Sequence, residues 1–249
     1  MNRSPRVRML ASVRSAEEAL FALNAGADLI DAKEPSGGAL GAVGADTLRE
    51  IVAAVAGRRP VSSTVGDLPM QLAPLRRAVN QTAACGADFV KVGFFEQGAP
   101  GEAARALPRE VPGVALIAVL FADHVPPQSA TETLARAGWH GVMLDTARKS
   151  GAGLRDWTDE DWLAEFVHRA RNAGLLVGLA GSLAERDVLP LAGLGPDYLG
   201  FRGALCSEAR RDACLDPVRV RAIRAALDRA AAQVPGGHPP SARSSNPPF

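Results

Sequence analysis

The sequence predicts a single-domain closed (β/α)8 barrel, the TIM-barrel class of α/β folds. Three observations predict it. Eight short apolar runs alternate with helical patterns along 249 residues, a length that suits one barrel. An internal echo recurs every two strand–helix units. The GxGxxG fingerprint of a dinucleotide-binding open sheet is missing after the first strand.

The elements follow in order. The first strand is expected at 7–13 (VRMLASV), and Ser15-x-x-Glu18 reads as the capping box of the helix behind it. DLIDAK (28–33) is the second strand. The next helix shows Leu48, Ile51, Val52 and Val55 at the i, i+3, i+4, i+7 spacing of one buried face. PVSSTV (60–65), DFVKVGF (88–94), VALIAVLF (114–121) and HGVMLD (140–145) are too short for solitary helices, and most are bounded by Gly, Pro or Asp. Leu163, Phe166, Val167 and Ala170 repeat the helical spacing. LLVGLA (175–180) is the seventh strand, followed by a second expected capping box, Ser182-x-x-Glu185. DYLGF (197–201) is the eighth, and Asp216-Pro217 opens the last helix.

The echo aligns NAGADLIDAK, ACGADFVKVG, ARAGWHGVMLD and LGPDYLGFRG. Asp28, Asp88, His140 and Asp197 then fall at equivalent places, 60, 52 and 57 residues apart, and mark strands 2, 4, 6 and 8. The barrel is expected over 1–233. Residues 234–249 carry five Pro, two Gly and three Ser and are expected to be a disordered extension.

Composition narrows the function. A formal net charge of +1 gives no whole-chain field that would draw nucleic acid or an anionic membrane. No apolar run approaches the roughly 20 residues of a membrane span, and the N-terminus lacks an apolar stretch of signal length. Three cysteines without a CxxC pair argue against a disulfide framework or a cysteine-rich zinc site. No two-His-plus-carboxylate cluster stands at metal spacing. The expectation is a cytoplasmic homo-oligomer that needs no metal or cofactor.

In a barrel, reactive groups gather where the strands end. Those ends carry Ser12, then Asp31 and Lys33, Asp67, Lys91, Asp123 with His124, and Asp145 with Lys149. Asp31 and Lys33 are two apart on one strand and share its inner face. Lys91 lies between Val90 and Val92, which are expected to face outward. A lysine inside an apolar strand reads equally as half of a structural ion pair, with Asp31 or Asp145, or as a catalytic amine. Two inward lysines with two carboxylates tilt the reading toward catalysis. A free lysine has a pKa near ~10.4, so about one in 2,500 is neutral at pH 7, and only the neutral amine attacks a carbonyl. Burial and a second ammonium both favour that form.

Gly181-Ser182 and Arg202-Gly203 end the seventh and eighth strands, where barrels often hold a phosphate. Arg202 is expected either to bind the anion or to pair with a nearby acid. His124 is read as a proton carrier or an ordinary loop residue, His140 and His168 as structural, and Cys206 and Cys214 as small packing residues.

SVRSAEEAL, GADLIDAKEPSGGALGA, PVSSTVGDLP, GADFVKVGFF, MLDTARKSGAGL, GLAGSL and DYLGFRGALC together resemble the (5-formylfuran-3-yl)methyl phosphate synthase family, over roughly residues 7–230. The resemblance implies a class I aldolase-like lyase that joins two molecules of glyceraldehyde 3-phosphate, releasing phosphate and water. The product would supply the furan of methanofuran, or of an analogue used in the one-carbon metabolism of methylotrophs. It further implies that Lys33 forms the Schiff base, that Lys91 accepts the proton, and that Asp31, Asp145 and Lys149 assist. Two rival readings use the same lysines: an aldolase or epimerase of another sugar phosphate, and a non-catalytic sensor of phosphate ligands.

Overall fold

The computed structural model describes residues 6–96, 98, 100–148 and 152–233. Lys149 and residues 234–249, including the expected tail, lie outside the described residues. The strands are β1 (Arg8–Val13), β2 (Leu29–Ala32), β3 (Val61–Thr64), β4 (Phe89–Gly93), β5 (Leu116–Phe121), β6 (Gly141–Asp145), β7 (Leu176–Leu179) and β8 (Tyr198–Phe201). Every neighbouring pair is parallel, and β8 pairs with β1 to close a single-domain barrel in sequence order. The surrounding helices are α1 (Ala16–Asn24), α2 (Ala45–Val55), α3 (Leu72–Ala83), α4 (Glu102–Glu110), α5 (Ala130–Ala137), α6 (Leu154–Trp157), α7 (Glu160–Asn172), α8 (Glu185–Gly193) and α9 (Pro217–Gln233).

Strand alternation produces two cores. Outward residues such as Val90, Val92, Val142 and Val177 pack with Leu48, Ile51 and Val55 of α2 and Leu163, Phe166 and Val167 of α7 in one continuous shell. Inward residues, among them Leu10, Leu29, Phe89, Ile117 and Tyr198, fill the barrel near the starts of the strands. Burial of each large apolar side chain is worth roughly 1.5–3 kcal/mol, so the inner layer forms a solid floor rather than a pore.

The internal echo has a mechanical meaning. Asp28, Asp88 and Asp197 accept the N–H of Met9, Val61 and Val177 at 2.9, 2.8 and 2.8 Å. His140 takes the same place, its Nδ1 facing the N–H of Leu116 at 3.3 Å. Each even strand thus begins with a side chain that secures the start of the odd strand before it.

Helix caps follow the sequence in two of three places. Ser15 caps α1 and accepts from the N–H of Glu18 at 3.2 Å. Asp216 caps α9 through the N–H of Val218 at 2.8 Å. The expected box at Ser182 does not form: α8 begins two residues later, and Asp187 accepts the Ala184 N–H at 2.9 Å. Ser182 instead takes a left-handed φ of 49° and is exposed.

Candidate active site

The polar site begins one step above the apolar floor. Two residues beyond Leu10, Leu29 and Phe89 stand Ser12, Asp31 and Lys91, so the inner face changes from apolar to polar at one level of the barrel. Lys91 is only 2% exposed. Its Nζ lies 2.8 Å from Asp31 Oδ1. Ser62 Oγ donates to the same oxygen at 2.6 Å and Ser12 Oγ to Oδ2 at 2.9 Å. A buried lysine is tolerable only with such a partner; of the two acids open in the sequence, the structure selects Asp31. Ser62, absent from the expected site, was visible only as a hydroxyl in an apolar strand.

Lys33 and Asp145 lie at the next level. Their Nζ and Oδ2 atoms are 3.6 Å apart. Asp145 Oδ1 accepts the Thr146 N–H at 2.7 Å, which orients the carboxylate. Both line a cavity of about 310 Å³ at the C-terminal ends of the strands, together with Ser12, Asp31 and Lys91. The four expected residues that lie within the described chain therefore meet in one place.

Gly181, Ser182 and Gly203 line the same cavity. Gly181 has φ +107°, and a Cβ there would fall 2.9 Å from Thr146 Cγ2, so only glycine fits. Among the described residues, the backbone N–H groups of Ser182, Leu183, Gly203 and Ala204 meet no protein acceptor.

Arg202 takes the second of its two expected roles. Its Nε donates to the Arg211 carbonyl at 2.8 Å, one terminal nitrogen to the Ser12 carbonyl and Glu18, and the other to Glu18 and the Ala213 carbonyl. All five N–H groups of the guanidinium are thereby used by the protein, so the side chain pairs with an acid and holds a loop. Sequence spacing offered no sign of this, because Glu18 lies 184 residues away.

The remaining acids at strand ends also hold loops. Asp67 accepts from Ala39 and Leu40 at 2.8 and 2.7 Å. It crowds Gly38, where φ is +110° and a Cβ would fall 2.2 Å from Asp67 Oδ2, so the loop needs glycine there. Asp123 accepts from Ala147 and Arg148, both at 2.8 Å. Burial raises its pKa, but those donors outweigh it and hold the carboxyl below its ordinary value. His124 faces a separate small pocket beside Phe121. His168 on α7 contacts Asn172 at 2.8 Å. Cys206 is buried, and burial raises its thiol to about 11, which suits a packing residue. Cys214 is exposed, contrary to the packing role expected for it, and its Sγ accepts from Arg14 at 3.5 Å.

Comparison with known proteins identifies the family. The profile described as 4-HFC-P synthase matches residues 9–224. A protein of Methylorubrum extorquens assigned to (5-formylfuran-3-yl)methyl phosphate synthase is 47% identical over 219 residues, covering 87% of this chain and 90% of its own. The (5-formylfuran-3-yl)methyl phosphate synthase of Methanopyrus kandleri is 38% identical, covering 83% and 92%. Among solved structures, phosphoribosyl anthranilate isomerase from Thermus thermophilus superposes with a TM-score of 0.66 at 18% identity, covering 90% of this chain and 99% of that one. 3-Hexulose-6-phosphate synthase from Salmonella typhimurium gives 0.65 at 16%, covering 90% and 100%. These two likenesses establish the fold. The family match spans nearly the whole barrel, and the chain belongs to the (5-formylfuran-3-yl)methyl phosphate synthase family of enzymes.

Proposed function

We propose that this enzyme condenses two molecules of glyceraldehyde 3-phosphate into (5-formylfuran-3-yl)methyl phosphate through a Schiff base on Lys33. The observation that carries the reading is the pairing pattern of two buried lysines. All four side chains line the cavity, Lys91 held to Asp31 at 2.8 Å and Lys33 more loosely to Asp145 at 3.6 Å. Asp145 takes the proton that the Lys33 amine must lose before it attacks the first carbonyl, a role their 3.6 Å separation supports. The iminium then acidifies the adjacent carbon, because the cationic nitrogen takes up the electron pair left by the departing proton.

Lys91 and Asp31 together form the proton-handling pair below that carbon. The enamine attacks the aldehyde of the second triose phosphate. Elimination of one phosphate, ring closure and loss of water produce the aromatic ring and release Lys33. The open N–H groups near Ser182 and Gly203 support a phosphate subsite, since backbone donors suit an anion. The product would enter methanofuran or an analogue.

Incubation of the purified protein with glyceraldehyde 3-phosphate alone tests the proposal. A furan chromophore should accumulate with one free phosphate per ring. Borohydride trapping without furan formation would overturn the reaction while keeping the Schiff base, and absence of both would sink the whole reading.

A further inference from the structure

Another charged group lines the cavity that the catalytic reading does not use. Arg211, on the loop between β8 and α9, is half-buried there. The other described cations lining the cavity each have a carboxylate: Lys91 has Asp31, Lys33 has Asp145, and Arg202 has Glu18. Arg211 has none within ion-pair distance among the described residues. Its guanidinium donates at 3.0 Å to the Gly38 carbonyl, a neutral partner. Burial lowers its pKa below the ordinary arginine value, and Asp145 offsets this only in part.

The loop is built to hold Arg211 in place. Arg202 grips the carbonyls of Arg211 and Ala213, both at 2.8 Å, while Cys206 and Leu215 pair as an antiparallel bridge. Glu208 and Ala209 both adopt left-handed φ, 56° and 57°, to turn the chain back over Gly203. Gly203 and Ala204, with their open N–H groups, lie under that turn.

We propose that Arg211 binds the phosphoryl group of the substrate at the cavity mouth, together with the N–H groups around Ser182 and Gly203, and thereby selects phosphorylated aldehydes. The guanidinium fork matches phosphate oxygens, and a dianion supplies the charge that the pocket lacks. The choice of substrate rests on the synthase reading. Anion binding does not.

Titration with inorganic phosphate, by calorimetry and by thermal shift, tests the site directly. Arg211→Gln should weaken the phosphate Kd at least about tenfold, the loss expected when a charge-assisted contact is removed. Arg211→Lys should fall between, and Arg210→Gln, an exposed neighbour, should bind as the wild type does. In turnover, Arg211→Gln should raise KM for glyceraldehyde 3-phosphate more than it lowers kcat. A folded Arg211→Gln with wild-type phosphate affinity would overturn the proposal, as would a wild type that binds no phosphate. If the Gln variant does not fold, Arg211→Lys decides: weakened affinity supports the site and unchanged affinity refutes it. Phosphate binding through Arg211 without any furan product would sink the synthase reaction and leave this inference standing. Furan formation by Arg211→Gln at unchanged KM would do the reverse.

Discussion

Two lysines on neighbouring inward positions differ in what restrains them, and the proposed reaction gives them different roles. Both line the cavity, but Lys91 has a carboxylate at 2.8 Å that two serines also serve, and Lys33 has one at 3.6 Å. With glyceraldehyde 3-phosphate present, borohydride should therefore label Lys33, and peptide mapping should find Lys91 unmodified. Label on Lys91 alone would reverse the assignment. Lys91→Arg keeps the charge beside Asp31, but guanidinium does not give up its proton at pH 7. The variant should still trap an adduct at Lys33 while turnover falls by about a hundredfold or more, the usual contribution of a positioned base. Near-normal furan formation by folded Lys91→Arg would remove Lys91 from that role. These residues were legible in the sequence because strand alternation alone turns Asp31, Lys33 and Lys91 inward. Arg211 was not, since a loop fixed by the distant Glu18–Arg202 pair decides where it points.

At the scale of elements, the strand starts carry the clearest agreement between sequence and structure. The echo of Asp28, Asp88, His140 and Asp197 came from aligned sequence, and each residue secures the preceding strand. The second capping box failed because local spacing cannot show that Gly181 and Ser182 both turn left-handed, which delays α8 to Glu185. The clamps should not be equal in strength. Asp28 also pairs with Arg224 at 2.7 Å, both side chains 11% exposed, so Asp28→Ala breaks a buried ion pair at a cost of about 3–5 kcal/mol. Asp88→Ala loses a hydrogen bond at an exposed residue, about 0.5–1.5 kcal/mol. Thermal melts should rank them in that order, and equal losses would contradict it. His140 adds a pH dependence. Partial burial lowers its pKa, so the unfolded chain binds a proton first as pH falls through about 6.5. Stability from this group is complete above that value and declines below it. Wild type should thus lose more stability between pH 7 and 5.5 than His140→Asn does, and parallel losses would refute the assignment.

For the whole molecule, closure of the barrel depends on α9, because this helix lies behind the β8–β1 seam. It buries Val220, Ile223 and Leu227 and fastens to the start of β2 through Arg224 and Asp28. The closed barrel was legible from the count of eight apolar runs and their two-unit echo. The short α6 was not, since four residues carry no readable period. The buried positions of α9 end at Ala230, and residues 231–233 are exposed. Proline- and serine-rich chain beyond that point offers little apolar surface to bury. Deleting residues 235–249 should accordingly leave both turnover and Tm unchanged. Truncation before Pro217 should instead yield no folded enzyme, because it removes several apolar side chains worth roughly 1.5–3 kcal/mol each and strips Asp28 of Arg224. The comparison is made by circular dichroism melts and furan formation on both truncated chains. A large drop in Tm for the shorter deletion would show that the last fifteen residues contribute to the barrel's stability, which their composition does not lead one to expect.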